Sequence, residues 1–416
     1  MTTVLVWSIA AGTIAGVLFR PKDWPEAVWA CLGALVLVIS GLLPLAQAGA
    51  AVGKGTDVYL FLTGMMLLSE LARREGVFDW LAGLAVTAAR GSRARLFGLV
   101  YLVGIAVTVF LSNDATAVVL TPAVYAAVQK AKAKALPYLF ICAFIANAAS
   151  FVLPISNPAN LVVYGKNLPP LIQWLRTFFV PSVFSIVATY AALRWVLRKD
   201  LEGTVEDGSE PVTLSKEGRL AAWGIIGTGA ILLGASGFGL DLGLPTCVSA
   251  VIAVLVVTRV KGGAIVEIAK GVSWSVLPLV AGLFVLVESL NRAGALHDVG
   301  KGLEWCASLP RFVGSLAASF GIAGLSNVMN NLPSGLLAGG ALKVVHVPSH
   351  IRDSVMIGVD LGPNLSVTGS LATVLWLIAL RREGEHINGW EFFKVGLVVM
   401  TPALLAATLI TSTLSN

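Results

Sequence analysis

Two short polar stretches, Leu111-Ser-Asn-Asp-Ala115 and Leu325-Ser-Asn-Val-Met-Asn-Asn-Leu332, interrupt long apolar runs at residues 96–128 and 312–342. Two further apolar runs, 136–164 and 354–380, are broken by Leu153-Pro-Ile-Ser-Asn-Pro-Ala-Asn160 and by Asp360-Leu-Gly-Pro-Asn364. Together the four interruptions and their flanks offer Ser112, Asn113 and Thr116; Asn147, Ser156, Asn157 and Asn160; Ser326, Asn327, Asn330 and Asn331; and Asn364, Ser366, Thr368 and Ser370. Hydroxyls and amides both donate and accept hydrogen bonds, so this set suits a small neutral or weakly charged solute. No arginine or lysine lies in any interruption, which counts against a dicarboxylate substrate. Two carboxyl groups complete the set: Asp114, the expected proton carrier, and Asp360, the next candidate.

Such groups are costly only if the surrounding runs lie in a bilayer, and composition says that they do. The 416 residues are 56% hydrophobic and only 12% charged, with a mean hydropathy of +0.84. A soluble domain carries about a quarter charged residues. The expected fold is therefore an all-α polytopic membrane protein, with its apolar runs as spans. Met1–Phe19 has no basic residue before it and no small-residue cleavage site, so it reads as a span and not as a signal peptide.

Basic residues flank both ends of the run 96–128, with Arg90, Arg93 and Arg95 before it and Lys130, Lys132 and Lys134 after it. A helix, a break and a returning helix explain that better than one crossing, which makes this run a re-entrant hairpin; 312–342 is read as a second. Prolines beside asparagines interrupt 136–164, freeing backbone groups that must line a cavity or be buried in protein. The stretches 78–89 and 293–309 read as interfacial helices. Arg198–Arg219 is the longest hydrophilic stretch and reads as a mobile cytoplasmic linker.

The chain repeats on itself. Gly64, Glu70, Arg74 and Gly76 match Gly282, Glu288, Arg292 and Gly294 at a spacing of 218, and Ser112-Asn113 matches Ser326-Asn327 at 214. In that alignment Val328 stands opposite Asp114. Residues 1–197 and 220–416 thus form two repeats, each with five crossings and one hairpin. The odd number of crossings inverts the second repeat against the first. Placing the loop at Arg20 inside puts 21 of the 29 Lys and Arg residues on the cytoplasmic side and both termini on the outer side. Inverted repeats with interrupted helices at the midplane are the signature of a secondary transporter.

Other signals are weaker. Gly53-Lys-Gly-Thr56 lacks the spacing and the preceding strand of a phosphate-binding loop, and no nucleotide motif, nucleic-acid partner or cofactor is expected. Cys31, Cys142, Cys247 and Cys306 are too scattered for a disulfide framework or a zinc site. His346 and His350 are separated by Pro348 and read as loop residues. Glu70 with Arg74, and Glu288 with Arg292, are spaced to pair one helical turn apart. An intramembrane aspartyl protease built on Asp114 and Asp360 leaves the duplicated Ser-Asn tips without a role.

The four interrupted stretches, read through Thr116, Leu161, Pro333 and Ser370, resemble the ArsB-type arsenite efflux permeases of the ion transporter superfamily, over essentially the whole chain. The resemblance implies a bacterial inner-membrane exporter of As(III) and Sb(III) as neutral hydroxides in exchange for protons. It also implies an elevator-like motion, a homodimer and, in some relatives, a soluble arsenite-stimulated ATPase. Arsenite at neutral pH is the uncharged triol As(OH)3, which an amide and hydroxyl cage suits. Cys142 attracts notice because arsenic favours thiols, but a small buried cysteine usually packs. Within the superfamily a sodium/proton antiporter or a silicic-acid exporter is the alternative. A membrane subunit driven wholly by an ATPase is a further one.

Overall fold

A computed structural model of the chain describes residues 2–206, 213–259 and 264–415. The described residues are helical throughout, with no strand beyond one isolated bridge between Ser92 and Thr204. Six of these helices are long and apolar enough to cross a membrane, among them Thr2–Phe19, Leu171–Val196 and Gly389–Leu414. Shorter apolar helices include Glu26–Ile39 and Gly243–Thr258.

Helix bounds recur along the chain. Arg93–Phe110 is answered 218 residues later by Arg311–Met329, Val77–Ala89 by Ala295–Ser308, and Leu171–Val196 by Gly389–Leu414. For the broken helices the spacing is 213: Leu136–Ala148 and Pro158–Tyr164 are answered by Ser349–Leu361 and Leu371–Arg382. Packing partners exchange in the same way. Thr56–Arg74 lies on Gly243–Thr258, whereas Glu26–Ile39 lies on Val276–Arg292.

The run 96–128 consists of two helical arms with a break between them. Ser92 caps the incoming arm Arg93–Phe110 by accepting from the Arg95 amide at 3.3 Å. The arm stops at Leu111 and Ser112, whose backbones leave the helical region. A new turn, Asn113–Ala115, starts there and passes through a π-helical stretch, Thr116–Leu120, into the returning arm Thr121–Lys130. Pro122 explains the π stretch: it lacks an N–H and crowds the preceding turn, and one wide turn relieves both. Thr121 Oγ1 donates to the Thr116 carbonyl at 3.4 Å. The second hairpin pairs Arg311–Met329 with Asn331–Val344, turning at Asn330 in the left-handed region (φ 76°).

Hydroxyls clamp the arms of both hairpins. Thr108 and Thr116 share a hydrogen bond at 2.8 Å, and Ser326 donates to Ser334 at 3.1 Å. These two pairs are 218 residues apart, the spacing of the helix bounds. The tips therefore correspond as Ser112 with Asn330, Asn113 with Asn331 and Asp114 with Leu332. That is one helical turn from the sequence alignment, which set Val328 opposite Asp114; Val328 is 68% exposed.

The returning arm of the second hairpin packs directly on the first broken helix. A Cβ on Gly339 would run into the Val163 carbonyl, so only glycine permits this approach. Gly339→Leu is expected to push the two apart and to cost about 1–3 kcal/mol, the usual scale of overpacking. A lowered thermal midpoint of the purified protein checks this, and an unchanged midpoint contradicts it.

Charged groups depart from expectation in two places. Glu70 pairs with Arg73 at 2.5 Å and Glu288 with Lys54 at 2.7 Å, so the expected pairs with Arg74 and Arg292 give way to other partners. Arg74 instead meets Glu267 at 2.5 Å, across the two halves. The first part of the hydrophilic stretch 198–219 is also anchored and not free. Val205 N donates to the Gly91 carbonyl at 2.9 Å, Lys132 pairs with Glu206 at 2.7 Å and Lys134 with Asp200 at 3.1 Å. Leu201 and Val205 are buried beneath it. Residues 207–212 of that stretch lie outside the described residues.

Candidate functional site

Each of the four interruptions ends in a helix start capped by a polar side chain. Ser112 Oγ accepts from the Ala115 amide at 3.1 Å, and Asn330 Oδ1 from the Leu332 amide at 3.3 Å. Asn157 Oδ1 accepts from Ala159 at 3.0 Å, and Ser370 Oγ from Thr373 at 3.1 Å. Serine and asparagine suit this position because their short side chains reach back to amides that have no partner within the helix.

These four starts converge. One cavity is lined by Asn113 and Asp114, by Asn331 and Leu332, by Asn157 and Pro158, and by Leu371 and Ala372. Leu62 and Val276 close it with apolar surface. The helix starts turn positive partial charge toward one point, which suits oxygen lone pairs. Asn331 Oδ1 is buried and has no hydrogen-bond partner among the described residues, leaving an acceptor for a solute hydroxyl. Among the described residues no ion pair holds the Asp114 carboxylate. Among the described residues, no lysine or arginine lines the cavity.

The remaining candidates surround this cavity without lining it. Asn160 Nδ2 donates to the Ser150 carbonyl at 3.0 Å and bends toward those of Leu153 and Pro154. Ser156 donates to the Val109 carbonyl at 3.1 Å, fastening the first break to the first hairpin. Asn327 donates to the Gly362 carbonyl at 2.8 Å and accepts from Ser366 at 2.6 Å, with Thr368 3.2 Å from Ser366. Thr116 is in the hairpin clamp already described.

The two broken helices hold each other reciprocally. Asn147 Nδ2 donates to Asn364 Oδ1 at 3.0 Å, and Asn157 Nδ2 donates to Asp360 Oδ1 at 2.7 Å. Asn147 and Asp360 occupy equivalent positions, 213 residues apart, each reaching into the other half's break. Asp360 is fully buried and does not line the cavity.

Thr108, Ser334 and Thr373 were not among the sequence candidates, yet they complete these networks. The signal that finds Thr108 and Ser334 is the 218-residue spacing itself. Leu62, Val276 and Leu371 carry no sequence signal, because one apolar residue among many marks nothing until the fold brings it to the cavity wall.

Residues 14–357 match a family model described as CitMHS: Citrate transporter. An arsenical pump membrane protein of Escherichia coli is 28% identical over 416 residues, with 96% of each chain covered. A putative arsenical pump membrane protein of Bacillus subtilis is 23% identical, covering 94% of this chain and 95% of that one. The crystal structure of the YdaH transporter of Alcanivorax borkumensis superposes with a TM-score of 0.57 at 15% identity, over 93% of this chain and 97% of its own. A structure of MtrF from Neisseria gonorrhoeae, described as illuminating a class of antimetabolite efflux pumps, superposes with a TM-score of 0.53 at 12% identity, over 91% of this chain and 84% of its own. At these identities the two structures speak for the fold alone.

Proposed function

The chain belongs to the CitMHS citrate transporter family and is a multi-pass membrane protein, and from that premise we propose that it exports arsenite and antimonite in exchange for protons. The resemblance to arsenite permeases read from the four motifs agrees with the relatives named as arsenical pump membrane proteins. One observation carries the choice of solute: four capped helix starts meet at a cavity lined by amides and one carboxylate, with no cation among its lining residues.

Citrate at neutral pH is a multiply charged anion. Binding it beside Asp114 without an arginine or lysine leaves several negative charges unpaired in a desolvated site. A neutral triol avoids that cost. Its oxygens accept from the amides, and its hydroxyls donate to Asn331 Oδ1 and to the Asp114 carboxylate. Asp114 carries the exchanged proton: protonated, it no longer accepts from the solute, so solute and proton compete for one group.

We read the two halves as inverted repeats of five crossings and one hairpin each, residues 1–197 and 220–416. The recurring helix bounds and the partners that exchange between halves support this. The excess of Lys and Arg on one side supports termini on the outer side of the inner membrane. The cavity is about 10 Å³, room for the centre of one water. A solute with three hydroxyls needs it to widen, so the hairpins and broken helices must shift as the solute passes.

Everted membrane vesicles with an imposed proton gradient and no ATP test this reading. Gradient-dependent accumulation of As(III) is the expected result. Accumulation that ignores the gradient, or that needs ATP, contradicts the exchange.

A further inference from the structure

We propose that a second cavity, apart from the central one, binds the phosphate group of an anionic ligand. This cavity of about 680 Å³ lies where the first broken helix ends, the returning arm of the second hairpin ends and the second broken helix begins. Lys343, His346 and Arg352 line it, together with Tyr164, Asn167 and Gln173. Among the described residues, no aspartate or glutamate lines it.

Among the described residues no ion pair or hydrogen bond engages the side chains of Lys343, His346 or Arg352. The nearest carboxylate in sequence, Asp353, is committed elsewhere: its Oδ2 accepts from Ser415 at 2.6 Å. The cavity thus gathers two positive charges and an imidazole with no carboxylate among its described lining residues, the nearest, Asp353, lying behind Arg352 and Tyr164. Guanidinium and ammonium groups favour phosphate oxygens, and the amides of Asn167 and Gln173 add neutral donors.

Lys343 Nζ lies 3.0 Å from where a Cβ on Gly165 would be, so the ammonium sits close over a glycine in the left-handed region. A side chain there would displace the ammonium from this face. Apolar residues such as Leu168 and Val345 fill the rest of the wall. Charged groups at helix ends beside apolar surface match a lipid headgroup and its chains; free phosphate satisfies the same cations. Tyr164 and Lys343 stand at the ends of helices whose starts, Pro158 and Asn331, line the central cavity, so a bound phosphate group braces those two helices together.

The unfolding temperature of the purified full-length protein in neutral detergent tests the proposal, titrated with phosphatidylglycerol, phosphatidylcholine or inorganic phosphate. A saturable rise with phosphatidylglycerol or with phosphate supports it. A rise with the lipid alone assigns a headgroup, and a rise with phosphate alone assigns the free ion. The double variant K343Q/R352Q is expected to weaken half-saturation about tenfold or more, while K301Q/R382Q, exposed cations elsewhere, leaves it unchanged. If K343Q/R352Q does not fold, H346Q is expected to weaken the response in the same direction, and K343R/R352K to preserve it. No rise with either anion, a rise as large with phosphatidylcholine, or a response that survives loss of these cations overturns the proposal. The readout is binding and not transport, so it stands or falls apart from the central site.

Discussion

Asp114→Asn is expected to abolish proton-driven export of As(III) while leaving the protein folded. Asparagine has nearly the same shape and keeps the backbone of the turn that Ser112 caps, so stability should move by about 0.5 kcal/mol or less. What it loses is a group that takes up and gives back a proton in the cavity. Among the described residues Asp114 has no ion pair, and no other carboxylate lines that cavity. Gradient-dependent accumulation in everted vesicles should fall about a hundredfold or more, the scale on which a positioned proton-transfer group acts. Exchange of labelled for unlabelled As(III) across the same membranes should persist, because it needs the solute site but no net proton movement. Undiminished gradient-driven transport in the variant would move the proton to another group.

Much of this arrangement was legible in the sequence, and the part that was not has a specific cause. Costly polar groups inside apolar runs located all four interruptions, because each break frees backbone groups that a Ser or Asn must cap. Matching residues stand at Glu70 and Glu288, and the helix bounds recur at the same spacing of 218. The register of the second tip was not legible. Matching Ser112-Asn113 to Ser326-Asn327 follows residue identity, but the chain stays helical through Met329 and turns only at Asn330, where asparagine tolerates a positive φ. Ser326 serves as Thr108 does, clamping two arms. The spacing of 218, already present in four residues, outweighs a repeated dipeptide. Likewise, Ser156, Asn160, Asn327 and Ser366 read as solute ligands because sequence does not tell a hydroxyl or amide that faces a cavity from one that braces a break. Both are polar residues in apolar surroundings, and only the identity of the hydrogen-bond partner separates them.

That distinction bears most on Asp360. Sequence made it the second candidate for the proton, yet it accepts from Asn157 Nδ2 at 2.7 Å behind the cavity wall. We therefore read it as a positioning residue that holds Asn157, which does line the cavity. The two roles predict opposite results for one substitution. Asp360→Asn keeps an oxygen that accepts from Asn157, so a holding role predicts a folded protein with gradient-driven transport largely retained. Asp360→Ala removes the acceptor and leaves the buried amide of Asn157 unsatisfied, which costs about 1–3 kcal/mol. Its transport defect should appear mainly as a raised KM for As(III), as Asn157 loses its orientation. A double-mutant cycle of Asp360→Ala with Asn157→Ala should show a coupling of about 0.5–3 kcal/mol, because both remove the same contact. If Asp360→Asn instead abolishes gradient-driven transport as completely as Asp114→Asn, then Asp360 carries a proton. The hydrogen bond to Asn157 is then part of the proton's path and not a brace.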